Sequence, residues 1–308
     1  MLLNLRMKLE IIKPARLFPG DLIGIAAPAG PFDVRKFERG VAAIKDLGFK
    51  VVVPEHLQRP DRYLAASDAH RASLLTDLFK DPEVKGIICA RGGYGSLRIL
   101  DLLDYDLLRQ HPKIFVGFSD ISALISAIIT RSGFVVFHGL VVTTFGAATP
   151  QTKNSFFNTM SSGQPLDIRP ENPRVVSPGK ASGLVSGGNL ATLCHLLGTP
   201  YTPTYKDRIL VLEDTGEAHY QIDRMLFQMK MAGCFQGLSG VVLGSFHDCG
   251  RYEGICDIVK NIFADMNIPI MGGFDIGHGD ENVTIPMGIR ATLDTEQGAL
   301  VYHEAALV

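Results

Sequence analysis

The stretch Lys113–Gly133, KIFVGFSDISALISAIITRSG, decides the fold. KIFVG (Lys113–Gly117) is an apolar run of strand length, and a helical pattern follows over 120–131 with one short turn between them. A strand with no polar face, turned straight into a helix, is the βα unit of a parallel sheet covered on both sides. The same unit recurs on either side. Upstream come LIGIAAP (Leu22–Pro28), a helix over Asp33–Leu47 stopped by Gly48, KVVVP (Lys50–Pro54), a helix over Ser67–Phe79 and GIICA (Gly86–Ala90). Ser67 is the expected N-cap of its helix, with His70 and Arg71 facing solvent. A helix over 95–103 leads into the central stretch, and FVVFHG (Phe134–Gly139) closes the series. The fold class expected is α/β, with an N-terminal doubly wound, flavodoxin-like parallel-sheet domain over 18–147.

Residues 148–182, rich in Pro, Asn, Ser, Thr and Gly, read as a linker with a short helix. Residues 183–308 then read as a smaller, mixed α/β, β-rich C-terminal domain. Its strands are expected at RILVLED (Arg208–Asp214), SGVVLGSF (Ser239–Phe246), PIMGGFDIG (Pro269–Gly277) and a closing pair around Ile289–Leu293 and Ala299–His303. Residues before about Phe18 read as a ragged arm.

Composition narrows the function. Lys and Arg number 30 against 32 Asp and Glu, a net charge of −2 that excludes a protein built to neutralise nucleic-acid phosphates or to lie on an anionic membrane. A small-molecule or peptide partner is expected. The five scattered cysteines (Cys89, Cys194, Cys234, Cys249, Cys256) form no C-x-x-C pair and read as reduced core thiols. With no signal-type apolar run at the start and no spanning segment, a cytoplasmic location is expected.

Chemistry is expected at the carboxyl ends of the strands. Ser119 sits where KIFVG turns into its helix, so its hydroxyl can stand above the sheet edge beside the backbone N–H of Asp120. A serine there is equally a good N-cap, and G-F-S-D-I lacks the second glycine of G-x-S-x-G. In ARGGYGS (Ala90–Ser96), Gly92 and Gly93 can bring bare N–H groups to a ligand, or simply make a tight turn; the spacing matches no phosphate loop. LVLEDTGE (Leu210–Glu217) offers Glu213, Asp214 and Glu217 as carboxylates that orient a histidine or cap a helix. DIGHGDEN (Asp275–Asn282) sets His278 between glycines in a polar loop, the most site-like of the nine histidines. His247, Asp248, Cys249 and Cys256 have poor ligand spacing, and no metal or cofactor is expected.

In order, ARGGYGS, VGFSDISAL (116–124), FHG (137–139), SGGNLATLCHLLGTPY (186–201), ILVLEDTGEAHYQIDRML (209–226) and GHGDENVTIPMG (277–288) resemble the motifs of the LD-carboxypeptidases. That family of serine peptidases includes murein tetrapeptide carboxypeptidases and microcin C immunity peptidases. The resemblance runs from about Phe18 to the end of the chain. It implies a homodimer without metal, a nucleophile at Ser119, a carboxylate at Glu213 and a histidine at His278. The oxyanion donors it implies are the backbone N–H groups of Asp120 and of the Gly92–Gly93 pair, Gly93 first. Phe118 stands where the family often has tyrosine. The implied reaction releases a terminal D-alanine from muropeptide tetrapeptides in wall recycling, with Arg91 and Arg98 as candidates for the substrate carboxylate. Cleavage of peptidyl- or aminoacyl-nucleotides is the alternative, and a non-catalytic phosphate- or nucleotide-binding module is a more distant one.

Overall fold

The computed structural model describes residues 10–308. The apolar runs of the first half form β1 (Leu22–Ala26), β2 (Lys50–Val52), β3 (Val84–Cys89), β4 (Ile114–Gly117) and β5 (Val136–His138). They lie in the order β2-β1-β3-β4-β5 and are all parallel, the flavodoxin-like doubly wound arrangement. The helices α1 (Val34–Asp46), α2 (Asp68–Lys80), α3 (Tyr105–Gln110) and α4 (Ser122–Ala127) pack against this sheet with tight helical turns between them. Asp33 caps α1 by accepting from the Lys36 amide, and Phe37 and Ile44 are its buried face. The helix expected over 95–103 is a 3-10 segment, Ser96–Leu102. The helix expected over 120–131 starts as a tight turn, Ser119–Ile121, becomes α4, and widens at Ile128–Ser132 before Gly133 stops it in the left-handed region.

The second half continues with α5 (Val142–Phe145), α6 (Pro150–Ser161), β6 (Asp167–Ile168), β7 (Arg174–Ser177), β8 (Lys180–Asn189), α7 (Leu190–Cys194), β9 (Arg208–Thr215), α8 (His219–Met231), β10 (Gly240–His247), α9 (Tyr252–Ile262), β11 (Ile270–Gly272), β12 (Ile285–Met287), β13 (Arg290–Asp294) and β14 (Ala299–Tyr302). Its eight-stranded mixed sheet has the order β6-β14-β13-β8-β9-β10-β11-β7. β8 to β11 run parallel, and antiparallel strands finish both edges.

Four features depart from the sequence reading. β12 leaves the second half of the chain and pairs antiparallel with β5, as the sixth strand of the first sheet. The stretch 148–182 holds α6 but also β6 and β7, which cover the edges of the second sheet. Residues 10–17 are not a ragged arm: Leu17 is fully buried, and Ile12 exchanges backbone hydrogen bonds with Gly133 and Val135. The part of the expected arm before residue 10 lies outside the described residues. Arg71 is buried rather than solvent-facing; its guanidinium donates to the carbonyls of Ala66, Pro28 and Gly95 and pairs with Asp68. A cation so placed satisfies carbonyls that the tight turns after β1 and β3 leave open.

Candidate active site

The carboxyl ends of β4 and β5 meet those of β8 and β9. The join is tight, because the Asn189 amide at the end of β8 donates to Ser122 Oγ at 2.9 Å. A Cβ on Gly188 would come within 2.4 Å of that same oxygen.

Ser119 lies two residues beyond the end of β4 and has φ +62°, a left-handed conformation that costs a non-glycine residue about 1–2 kcal/mol. Such strain persists only where the surroundings impose it. Here an extended Phe118 and the bond from the Ile121 amide to the Phe118 carbonyl force the turn. Gly92 lies against the hydroxyl; a Cβ there would fall 2.8 Å from Ser119 Cβ and 3.0 Å from its Oγ. The amides of Gly92 and Gly93 have no acceptor among the described residues, while the Gly92 carbonyl is held by the Gly30 amide. Asp120 turns its carboxylate inward to the Ser96 amide at 2.8 Å. Burial raises the proton affinity of that carboxylate, and the Ser96 hydrogen bonds and Arg71 work against the rise.

Glu213 lies within β9, fully buried, and His278 reaches it from the loop after β11. His278 Nδ1 and Glu213 Oε2 are 2.7 Å apart, and the His278 amide donates to the same oxygen at 3.2 Å. Burial alone would raise the Glu213 pKa, but the imidazoles of His138 and His278 outweigh it and hold the carboxyl at about 2. Burial pulls the His278 pKa down, yet its hydrogen bond and charge attraction to Glu213 leave it above 6.5. Phe118 packs on the imidazole with ring centroids 4.7 Å apart. Asp214, the neighbouring acid, is otherwise engaged: it accepts from Asn189 Nδ2 and from the Ala191 and Thr215 amides, and so anchors the start of α7.

Ser119, Gly92, Gly93, Arg91 and His278 line one cleft of about 480 Å³, together with Lys36 of α1 and Thr143 and Thr144 of α5. Arg91 gives one hydrogen bond, to the Pro31 carbonyl at 2.6 Å. Arg98 does not reach the cleft, because its guanidinium is committed to both oxygens of Asp68. Lys36 and His138 were missed as site residues; Lys36 sits on the polar face of a helix, where any lysine is ordinary, and His138 reads as the end of an apolar strand. Among the described residues no group of three or more His, Cys, Asp or Glu has metal-site geometry.

A hydroxyl in a strained turn, an imidazole hydrogen-bonded to a buried carboxylate, and bare backbone amides are the groups that acyl transfer to water requires. Their setting at the meeting edges of two sheets is that of a two-domain α/β peptidase. The LD-carboxypeptidase N-terminal domain model matches residues 23–139, and the LD-carboxypeptidase C-terminal domain model matches 182–293. The chain belongs to the LD-carboxypeptidase family and is a carboxypeptidase. It is 35% identical to a Bacillus subtilis protein named probable murein peptide carboxypeptidase, over 94% of this chain and 93% of that one. Its fold is similar to that of an MccF-like protein from Bacillus anthracis, with TM-score 0.89, 30% identity, and coverage of 95% of this chain and 99% of that one. The muramoyltetrapeptide carboxypeptidase of Oxalobacter formigenes aligns with TM-score 0.80 and 29% identity, over 91% of this chain and 97% of the other.

Proposed function

We propose that the chain is a serine carboxypeptidase that hydrolyses the L,D peptide bond releasing terminal D-alanine from muropeptide tetrapeptides, through a Ser119–His278–Glu213 triad and an acyl-enzyme. The observation that carries this reading is the 2.7 Å His278–Glu213 hydrogen bond opening onto the cleft that holds the strained Ser119. His278 takes the Ser119 proton as Oγ attacks the carbonyl before the D-amino acid, and later returns it to the leaving amine. Glu213 fixes the Nδ1–H tautomer and stabilises the imidazolium. The Gly93 and Asp120 amides, with Gly92 beside them, receive the oxyanion. Arg91, and now Lys36 in place of Arg98, meet the free carboxylate of the substrate. Water then releases the acyl group.

The domain division at 18–147 and 183–308, with the nucleophile in the first part and the Glu–His pair in the second, belongs to the same reading. So do a cytoplasmic homodimer and a role in peptidoglycan recycling. Among the described residues no helix is long and apolar enough to cross a membrane. The likeness to an MccF-like protein supports a second reading, in which the same triad cleaves a peptidyl- or aminoacyl-nucleotide. The test compares D-alanine release from purified tetrapeptide with hydrolysis of an aminoacyl sulfamoyl adenosine, each with the wild type and with Ser119→Ala. Serine-dependent D-alanine release is expected; turnover of the nucleotide alone would shift the assignment to the second reading.

A further inference from the structure

Three unsatisfied polar atoms meet at the centre of the molecule. Glu213 uses Oε2 for both of its bonds to His278, and its other oxygen, Oε1, has no hydrogen-bond partner among the described residues. His138 is fully buried, and neither ring nitrogen has a partner there. Its Nε2 approaches Glu213 Oε1 to 3.8 Å, about 1 Å longer than an N–H···O bond. A carboxylate only accepts, so the proton of a neutral His138 belongs on Nε2 and Nδ1 is left bare.

The backbone makes this approach a designed one. His138 ends β5 and is paired in register with Gly117 of β4, two residues before Ser119, and with Ile285 of β12 on the other side. Glu213 sits on β9 in register with Asn189, whose amide is fastened to Ser122 of the nucleophile's own helix. The imidazole therefore spans from the sheet that carries Ser119 to the carboxylate held by the other sheet. Phe118 flanks both imidazoles, with its ring centroid 6.0 Å from that of His138 and 4.7 Å from that of His278.

We propose that His138 is a positioning residue for the reaction: it donates Nε2–H to Glu213 Oε1 and turns Oε2 toward His278. The inference rests on the triad reading given above. The charged and titratable groups facing Glu213 are His138 from β5, His278 from the loop after β11, and Asp214 beside it on β9, whose oxygens are already bonded to Asn189, Ala191 and Thr215. Without the His138 proton, Glu213 presents more negative charge to His278. The imidazolium is then held to higher pH, and the carboxylate is free to rotate.

The experiment measures kcat, KM and the pH dependence of kcat/KM for tetrapeptide hydrolysis by the full chain carrying His138→Phe or His138→Gln. Glutamine keeps an N–H donor near the Nε2 position and phenylalanine does not. Expected for H138F are a fall of about tenfold or more in kcat, a KM within about twofold of wild type, and an acid limb displaced upward by about half a pH unit. H138Q should recover most of both changes, and it carries the test alone if H138F does not fold. A folded H138F with wild-type kcat and acid limb would overturn the proposal, as would an H138Q with a wild-type Tm but a kcat and acid limb displaced as far as those expected for H138F. Ser119→Ala separates the two layers. If S119A still turns over the peptide, the triad falls and this inference with it; an inactive S119A beside an unaltered H138F overturns the His138 role alone.

Discussion

Gly277 lies directly on the side chain of Glu213: a Cβ at position 277 would fall 2.3 Å from Glu213 Oε2 and 2.6 Å from its Cγ. The glycine also has φ +103°, and its amide is fixed by Asn282 Oδ1 at 3.0 Å. Only a residue without a side chain lets the His278 loop press onto the carboxylate so that both the ring and the amide of His278 reach one oxygen.

Gly277→Ala should therefore disable the enzyme by moving the loop. Left-handed strain and overlap with a buried carboxylate together cost about 3 kcal/mol, and the Glu213–His278 bond is the contact that gives way. Urea unfolding should report that loss, with kcat down by more than tenfold. A stable and fully active G277A would mean that the loop reaches Glu213 in another way.

The acid limb of activity should belong to His278. Its pKa is raised above 6.5, since attraction to Glu213 exceeds the opposing effect of burial, and as the proposed general base it must be neutral to accept the Ser119 proton. kcat/KM should thus climb through a midpoint above 6.5, while Glu213, held at about 2, adds no limb in the working range. Stability runs differently. The His278 contribution is complete below 6.5 and disappears as pH rises through its higher folded value. The Glu213 contribution is complete above 4.5 and disappears as pH falls toward about 2. A pH–rate profile and urea melts of wild type against His278→Gln check both signs.

The doubly wound sheet was legible because a parallel strand buried on both faces is written as an uninterrupted apolar run, as in KIFVG and GIICA. Ser119, Glu213 and His278 could be singled out as candidates because each follows or ends an apolar run. β12 was not: three residues, Ile285–Met287, carry no periodicity, and their partner β5 lies far away in sequence. β6 and β7 hid inside a Pro-rich segment for the same reason; edge strands are short and chosen by the sheet they cover. Arg71 was read as solvent-facing and His138 only as the end of an apolar strand, because local pattern cannot say which carbonyls or carboxylate a distant turn will bring to them.

Replacing the proposed nucleophile should separate strain from chemistry. Ser119→Ala keeps a Cβ at φ +62° and should lose about three orders of magnitude or more in kcat at nearly unchanged stability. Ser119→Gly should be just as inactive, yet more stable than S119A by about 1 kcal/mol, since glycine adopts the left-handed turn freely. Equal melting temperatures for the two variants would show that the turn carries no strain.

The two arginines that the sequence offers for the substrate carboxylate should behave differently. Arg98 gives its fork to Asp68, at 2.6–3.0 Å, in an exposed pair that contributes little to stability. Arg91 spends one donor on the Pro31 carbonyl and stands in the cleft beside Ser119. A guanidinium has five N–H donors, so Arg91 retains enough to meet a carboxylate at the end of a peptide. Arg91→Ala should raise KM for the tetrapeptide by about tenfold, with a smaller change in kcat, because the charge binds ground and transition states alike. Arg98→Ala should leave KM within about twofold. Steady-state kinetics of both variants, repeated with a substrate whose terminal carboxylate is amidated, decide the matter: the amide should bind poorly to wild type and be indifferent to R91A. A KM that rises for R98A and not for R91A would move carboxylate recognition out of this cleft.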